Sequence, residues 1–413
     1  MTPAAPPPPA ARLSLARRLS AYGVVLIGYI LYCYHFVMPD FVRPNLIREL
    51  RFSIDDTAWL SVVGNLGTSI GAVAWAGVIA RAGRRRTIML IAATIGATAA
   101  VQALSDELAV WLTVHGVLAA ALGGYYVTAT ALVVALFPPG ARGKLVAINA
   151  TMYPVANIMV GLVGGALGDA HWRVLLWIGA APLALVLPLY LLVPDDRRYR
   201  AYEAEDGSAE TGGSWRDMLT GRLKWLTIGC VLLAGLDFNA YQFFVSLVPL
   251  YMRTVQQATP QAVGGIVAII STGALTGAFL WATLSDRLGR RFPLVGYLLA
   301  AAAVLAFLYA EPSPFGLGAA GFAFGFGMSC TSAWGAWFAE MFPPRLRSHG
   351  AALFHIGNMV ALAAPLLAAR VGGLFGLATA MTAAAAFYGM GALLWWRLPE
   401  TLPRREPAEE RRT

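Results

Sequence analysis

The chain has 413 residues, of which 58% are hydrophobic and 13% are charged, and its mean hydropathy is +0.62. An ordinary soluble domain carries about 25% charged residues, so this composition excludes a soluble globular protein and predicts a polytopic helical membrane protein. The net charge of +9 could indicate a nucleic-acid partner, but the basic residues lie mainly between apolar runs, and we expect no nucleic-acid binding.

Twelve apolar runs, here called spans one to twelve, follow the Pro-rich and basic segment 1–20, which we interpret as a disordered cytoplasmic tail. Each run is long enough for one helical crossing of the bilayer. The runs lie at 21–39, 58–80, 87–104, 109–136, 145–168, 174–193, 225–252, 262–284, 293–310, 316–338, 350–369 and 373–396. The pattern predicts an N-terminal six-helix bundle over 21–194, a cytoplasmic linker over 195–224, a C-terminal six-helix bundle over 225–397 and a cytoplasmic tail over 398–413.

The distribution of lysine and arginine predicts the orientation in the membrane. With a cytoplasmic N-terminus, 25 of the 31 Lys and Arg residues lie on the cytoplasmic side, as the positive-inside rule requires. Both termini are then cytoplasmic. The abundance of alanine and the small share of lysine among the basic residues suggest a GC-rich bacterial genome, and therefore an inner (plasma) membrane protein. We expect a monomer whose partners are the lipid bilayer, protons and a small-molecule substrate.

The two predicted bundles share short sequence patterns at an almost constant separation. The matched segments are 34–36 with 241–243 at a separation of 207, 83–85 with 289–291 at 206, and 137–142 with 342–347 at 205. Three matches at nearly one separation indicate an internal duplication. Parallel repeats of this kind are typical of secondary transporters, whose site lies near the bilayer midplane.

Four loop segments resemble those of the major facilitator superfamily. Residues 286–291 resemble its cytoplasmic loop signature, and residues 77–86 resemble the first copy, in which Ala80 replaces the usual acidic residue. Trp172-Arg173 and residues 340–347 resemble two further superfamily loops. The resemblance covers 21–399 and implies an all-α membrane protein of two pseudo-symmetric six-helix bundles that work by alternating access. It also implies that the first helix of each triplet lines the cavity and that the third is peripheral.

The resemblance further implies residues that tether helix ends in one state of the transport cycle and release them in the other. The predicted gating residues are Gly77, Gly83, Arg84, Arg85, Arg142, Asp286, Arg287, Gly289, Arg290, Arg291, Glu340 and Arg347. The alternative is that the glycines only permit tight turns and the arginines only contact anionic lipid.

Asp237 is the one carboxylate near the middle of an apolar run, where an ionisable group is costly and is a functional candidate by default. We therefore predict that it carries the coupling proton. The alternative is a neutral aspartic acid that only packs within the bundle. His35, His115 and His355 also lie in spans and are predicted to assist, although each could be a neutral, hydrogen-bonded core group.

Aromatic and amide side chains around these groups suit a cavity that holds a small, partly apolar solute. The predicted substrate-binding residues are Tyr32, Tyr34, Tyr125, Tyr126, Asn239, Tyr241, Gln242, Trp334 and Asn358. Such side chains also suit lipid interfaces. Because adjacent helical residues point about 100° apart, at most one of Tyr125 and Tyr126 should face the cavity directly.

These features predict a proton-coupled symporter that imports a small organic metabolite, with an organic or aromatic carboxylate preferred. No lysine or arginine lies at mid-membrane, so outer residues such as Arg43 and Arg370 would have to bind a carboxylate. The alternatives are a proton-driven drug or metabolite efflux antiporter, a sugar or polyol symporter, and a non-transporting membrane sensor. No Walker A, metal-ligand or nucleophile–base pattern occurs, so we expect no ATP-driven pump, no enzyme, no cofactor and no metal.

Overall fold

The computed structural model describes residues 13–195 and 215–402, without the side chains of Pro139, Gly140, Gly143, Ala147, Ser348 and His355. Most of the predicted N-terminal tail, linker and C-terminal tail therefore lies outside the described residues.

All regular structure in the described residues is helical. The N-terminal half contains α1 (Leu15–Glu49), α2 (Ile54–Ala82), α3 (Arg84–Leu104), α4 (Leu108–Leu136), α5 (Pro139–Leu167), α6 (Arg173–Gly179) and α7 (Val186–Leu192). The rest of the chain contains α8 (Trp215–Met218), α9 (Leu223–Phe243), α10 (Val248–Thr254), α11 (Pro260–Leu288), α12 (Leu294–Tyr309), α13 (Pro314–Met328), α14 (Trp334–Glu340), α15 (Arg347–Val360), α16 (Ala364–Phe375) and α17 (Leu377–Arg397).

Ten helical segments of the described chain are long and apolar enough to cross a membrane, judged by length and composition. They correspond to ten of the twelve predicted spans. Of the other two, span nine forms the shorter apolar helix α12, and span ten is divided between α13 and α14.

Four of the predicted spans are divided into two helical pieces. Prolines lie at three of these divisions: Pro182 in the turn between α6 and α7, Pro249 at the start of α10, and Pro365 at the start of α16. Proline has no N–H to donate and clashes with the preceding turn, so a helix restarts there. The sequence pattern predicted continuous spans, because hydropathy does not register a local break.

Helix α1 continues well beyond the predicted end of span one at residue 39 and runs to Glu49. It contains Pro39 and Pro44 without ending at either. The extension places Asp40 and Arg43 inside a continuous helix and not in a loop. Since residues three apart lie on the same helical face, these two side chains can meet.

The turn between α2 and α3 depends on a glycine. Gly83 has φ of +90° and separates the two helices by a single residue. This conformation strains any residue with a Cβ, whereas glycine adopts it without that cost. Gly289 has φ of +116° at the corresponding turn after α11. The backbone conformation therefore explains why both copies of the loop signature have a glycine at this position.

The predicted duplication has a structural counterpart in the packing of tryptophan. The indole Nε1 of Trp75 donates to the Ala120 carbonyl at 2.9 Å, and that of Trp281 donates to the Phe326 carbonyl at 2.7 Å. Donors and acceptors are each 206 residues apart in the chain. The same indole–carbonyl hydrogen bond therefore joins α2 to α4 in the first half and α11 to α13 in the second.

A second repeated contact joins arginine to an aromatic ring. The Arg85 guanidinium lies 5.2 Å from the centre of the Tyr190 ring, and that of Arg291 lies 5.7 Å from the Trp396 ring. Both partners again differ by 206 positions. Cation–π contacts therefore recur at the predicted cytoplasmic end of each half.

The described residues form two compact units whose boundaries differ from those of the sequence halves. Unit 1 contains 13–195, Gln242–Ser271 and Leu362–Ala380. Unit 2 contains 215–241, Thr272–Ala361 and 381–402. Unit 1 thus includes the end of span seven, the start of span eight and the α16–α17 turn, all of which lie on the predicted outer side.

Candidate transport site

Asp237 lies on α9 within unit 2 and is buried. The hydroxyl of Tyr297, from α12, donates to its Oδ1 at 2.9 Å. In the described residues no ion pair involves Asp237. Because no cation compensates its charge, ionisation of this carboxylate in the membrane is costly, and its protonated form is favoured by its surroundings.

The surroundings of Asp237 are aromatic, with polar tips. Tyr388 and Cys330 lie close enough to interact with its charge. Two buried polar atoms nearby, Tyr388 Oη and Trp334 Nε1, have no hydrogen-bond partner in the described part of the chain. The Tyr297 ring contacts both, with ring centroids 5.0 Å from Tyr388 and 5.9 Å from Trp334. The interior of unit 2 therefore holds one carboxylate among several weak hydrogen-bonding groups.

His35 and His115 are both buried in unit 1 and each has a defined partner. His35 Nε2 lies 2.9 Å from the Gly179 carbonyl, which only accepts, so this nitrogen carries the proton. His115 Nδ1 lies 3.3 Å from the Gln102 amide nitrogen and accepts from it. Both arrangements suit neutral rings. The side chain of His355 lies outside the described residues.

Four tyrosines from α1 and α4 meet inside unit 1. The Tyr32 and Tyr125 rings are stacked, with centroids 5.8 Å apart, and Tyr29 contacts both Tyr125 and Tyr126. Tyr125 is fully buried and donates to the Val25 carbonyl at 3.0 Å, whereas Tyr126 is half-buried. The structure thus brings Tyr32, Tyr125 and Tyr126 together.

The other predicted binding residues lie apart from that cluster. Tyr34 donates to the Leu175 carbonyl at 2.7 Å in the core of unit 1, and Trp334 stacks on Phe338 in the core of unit 2. Asn239 donates to the Gly235 carbonyl at 2.7 Å. Half-buried positions are held by Tyr241, Gln242 and Asn358.

A buried ion pair on α1 was not predicted from the sequence. Arg43 Nη2 contacts Asp40 Oδ1 at 2.7 Å, and the side chains are only 7% and 14% exposed. Arg43 also donates to Ser61 Oγ on α2 at 3.1 Å and to the Ser246 carbonyl at 3.0 Å. The signal that could have revealed the pair is the spacing of three residues between opposite charges, once the helix is known to continue.

The predicted gating residues of the second loop signature form one network in unit 2. Arg290 is buried and contacts both Asp286 and Glu340, with Nε 2.9 Å and Nη2 2.6 Å from the Glu340 oxygens. Glu400 accepts from the backbone N–H groups of Arg290 and Arg291 at 2.9 and 3.0 Å. Glu400 was not predicted, and its position three residues after the end of α17 gave no signal in the sequence.

The remaining predicted gating residues make weaker or separate contacts. Arg85 pairs with Asp195 at 3.0 Å, and Arg142 donates to the Phe137 carbonyl at 2.9 Å. Arg287 and Arg347 are exposed. Arg84 is half-buried at the start of α3, and a Cβ at Gly77 would meet nothing within 4 Å.

On the predicted outer side, the turn between α5 and α6 carries a second charge network within unit 1. Asp169 accepts from Arg48 at 2.7 Å and from Asn45 at 3.3 Å, and it also pairs with Arg253 of α10. Burial opposes its charge, but the Arg48 hydrogen bond and the Arg253 charge outweigh burial and hold the pKa of Asp169 below its usual value.

The sequence matches a family model described as Major Facilitator Superfamily over residues 25–257 and 231–413. The chain belongs to the major facilitator superfamily. It is therefore a multi-pass membrane transport protein and not an enzyme.

Individual relatives agree with this assignment. The chain is 24% identical over 362 residues to a putative niacin/nicotinamide transporter, NiaP, of Bacillus subtilis (strain 168), with 86% of each chain covered. It is 26% identical over 392 residues to a probable 4-methylmuconolactone transporter of Cupriavidus pinatubonensis, covering 91% of this chain and 89% of the relative.

Among solved structures, a bacterial homolog of the human lysosomal transporter Spinster, inward-facing and unoccupied, matches with a TM-score of 0.77 at 17% identity, over 93% of this chain and 97% of that one. The predicted fold of twelve membrane helices in two pseudo-symmetric six-helix bundles is confirmed.

Proposed function

We propose that this superfamily member is a proton-coupled symporter that imports a small organic carboxylate across the inner membrane, with both termini in the cytoplasm. The observation that carries the proposal is Asp237, a carboxylate buried in a membrane helix with a tyrosine hydroxyl as its hydrogen-bond donor and no ion pair in the described residues. Such a group exchanges a proton more readily than it holds a bare charge.

Coupling requires that the protonated and deprotonated forms differ in substrate affinity or in conformational preference. Asp237 can produce such a difference, because its protonated and deprotonated forms differ by a full charge in a low-dielectric interior. His35, His115 and His355 are proposed as assisting groups. His35 and His115 each use one ring nitrogen in a hydrogen bond within the core of unit 1. We therefore propose Asp237 as the principal proton carrier.

Two lines of support favour an aromatic or organic acid as the substrate. The cluster of Tyr32, Tyr125 and Tyr126 offers aromatic faces and hydroxyl groups, which suit a small planar solute. The similar proteins are named as transporters of niacin or nicotinamide and of 4-methylmuconolactone. Niacin is a pyridine carboxylic acid, and we propose a solute of that general size and charge.

The test is transport by the full chain in proteoliposomes, with labelled nicotinate as the probe. Asp237→Asn should retain exchange of nicotinate between the two sides but lose accumulation driven by an inward proton gradient, because the variant cannot change its protonation. The control is Asp55→Asn, an exposed carboxylate at the start of α2, which should behave as the unaltered protein does.

Accumulation that survives Asp237→Asn would make Asp237 structural and direct attention to the histidines. If the unaltered protein extrudes its solute on proton entry, the antiport alternative replaces import. Proton-driven uptake of xylose but not of nicotinate would favour a sugar substrate. Binding without any flux would favour a sensor.

A further inference from the structure

We infer that Arg43 binds the carboxylate group of the substrate, and that Asp40 occupies Arg43 until Asp40 takes up a proton. The inference rests on the proposed function, because it concerns how a carboxylate solute is recognised. It supplies a cation for the carboxylate at the outer end of span one, because no lysine or arginine lies at mid-membrane.

Arg43 is suited to this role by its position. Among the described residues it is the one lysine or arginine that is buried in a membrane-crossing helix. Its guanidinium contacts Asp40 Oδ1 at 2.7 Å and the Ser61 hydroxyl at 3.1 Å. A guanidinium presents its donors as a planar fork that matches a carboxylate, and desolvation strengthens such pairs.

The pairing with Asp40 makes binding depend on protonation. A buried arginine needs one anionic partner, and removing that partner without replacement is strongly unfavourable. When Asp40 binds a proton it becomes neutral, and the carboxylate of the substrate can take its place beside Arg43. The proton remains on the Asp40 oxygen and the substrate keeps its negative charge, so one proton and one anion are bound together and the charge balances.

Other titratable and charged groups occur on the elements packed around the pair. They are His35, Arg48 and Glu49 on α1, His115 on α4, Asp55 and Asp56 at the start of α2, Asp169, His171 and Arg173 around the α5–α6 turn, Arg253 on α10 and Arg370 on α16. In the described residues Asp40 is the one titratable group that contacts Arg43. The protonation of Asp40 therefore controls the guanidinium directly.

The same guanidinium also reaches the broken part of span seven. Its Nη1 donates to the Ser246 carbonyl, which lies in the single turn between α9 and α10. A substrate that draws Arg43 toward itself therefore competes with a contact between spans one and seven within unit 1. The Arg43 guanidinium would therefore take part both in substrate binding and in the outer contact with Ser246.

The experiment measures ligand-induced thermal stabilisation of the purified full-length protein. The probes are nicotinate and benzoate, with nicotinamide and benzamide as uncharged counterparts, each at about pH 5.5 and about pH 7.5. The unaltered protein should bind the carboxylates, and their Kd should fall about tenfold at the lower pH, because protonation of Asp40 releases Arg43. The amides should show no such dependence.

Three variants separate the roles. Asp40→Asn should bind nicotinate tightly at both pH values, because no carboxylate competes for Arg43. The double variant Asp40→Asn/Arg43→Gln removes both charges, which buried pairs often tolerate, and it should lose carboxylate binding at least about tenfold. Arg51→Gln, at an exposed arginine in the α1–α2 turn, is the control and should leave binding unchanged.

Carboxylate binding that persists in the folded double variant overturns the inference, and so does a pH dependence that survives Asp40→Asn. If neither carboxylate binds the unaltered protein, Arg43 is not a carboxylate site for solutes of this class. Proton-driven uptake of an uncharged solute would in that case leave proton coupling intact, so the two failures can be told apart.

Discussion

Glu400 holds together the predicted cytoplasmic ends of spans eight, nine and twelve through one carboxylate. Its Oε1 accepts from the N–H groups of Arg290, Thr401 and Leu402, and its Oε2 accepts from that of Arg291, at 2.9 to 3.0 Å. Burial acts to raise the pKa of Glu400, but these backbone hydrogen bonds outweigh burial and keep the pKa below its usual value.

We predict that Glu400→Ala lowers the free energy of unfolding, because it removes these hydrogen bonds. The loss should be only about 1 kcal/mol, because Glu400 is exposed and solvent screens its charge. A depressed pKa means that this stabilisation is present above the unfolded-state value of about 4.3 and is lost as the pH falls through the folded-state value. Thermal unfolding should therefore distinguish the variant from the unaltered protein at neutral pH, and the difference should shrink below about pH 4.

The control for Glu400 is Glu311→Ala, at an exposed glutamate in the loop before α13. It should leave Tm unchanged at every pH. An equal loss of Tm in both variants would show that Glu400 has no special role in the cytoplasmic network.

At the scale of helices, the sequence predicted which segments cross the membrane but not how they are divided. Long apolar runs determine the spans because every backbone group in lipid must bond within its own helix. The break in span ten, at Ser329–Ala333, involves no proline, and the extension of α1 past Pro39 and Pro44 could not be inferred from apolar residues alone. The Asp40–Arg43 pair was missed for the same reason.

Close packing of α5 against α11 in unit 1 depends on glycine at position 264. A Cβ at Gly264 would lie 2.1 Å from the Gly161 carbonyl oxygen, whereas a Cβ at Gly265 would meet nothing within 4 Å. Small residues let membrane helices approach this closely.

We predict that Gly264→Ala destabilises the protein by about 1–3 kcal/mol, because the added methyl group must push the backbones of α5 and α11 apart. Thermal unfolding in detergent measures this loss. The matched control is Gly265→Ala, one residue away on the same helix, which should keep or slightly raise Tm because alanine is the better helix former. If the two variants behave alike, the close approach of the two helices contributes nothing to stability.

At the scale of the whole molecule, the duplication explains the scaffold but not the site. The tryptophan and cation–π contacts recur 206 residues apart, so a constant separation in the sequence was enough to predict two related bundles. The proposed functional groups break this symmetry: Leu31 lies 206 positions before Asp237, and Pro249 lies 206 positions after Arg43. The repeat therefore does not locate the site: Asp237 was predicted from its place in an apolar run, whereas the Asp40–Arg43 pair became visible only from burial and contacts.

The network around Asp169 connects the α5–α6 turn to α10, which belongs to span seven, and it lies on the predicted outer side. Its pairs are partly exposed, so together they contribute about 1 kcal/mol to this contact. Since the pKa of Asp169 lies below its usual value, the pairs stay intact at any pH above about 4. In an alternating-access cycle, opening on this side must break them.

We predict that Asp169→Asn increases outward exposure of the turn between α9 and α10 about fivefold, which corresponds to that loss of about 1 kcal/mol. The measurement is the rate at which a membrane-impermeant thiol reagent, added outside intact cells, modifies a cysteine placed at the buried position Ser246. Asp106→Asn is the matched control, because Asp106 pairs with Arg173 inside the N-terminal half and does not reach span seven. A rate that rises equally in both variants would reflect general loosening of the outer face, and an unchanged rate in Asp169→Asn would mean that the network does not restrain opening.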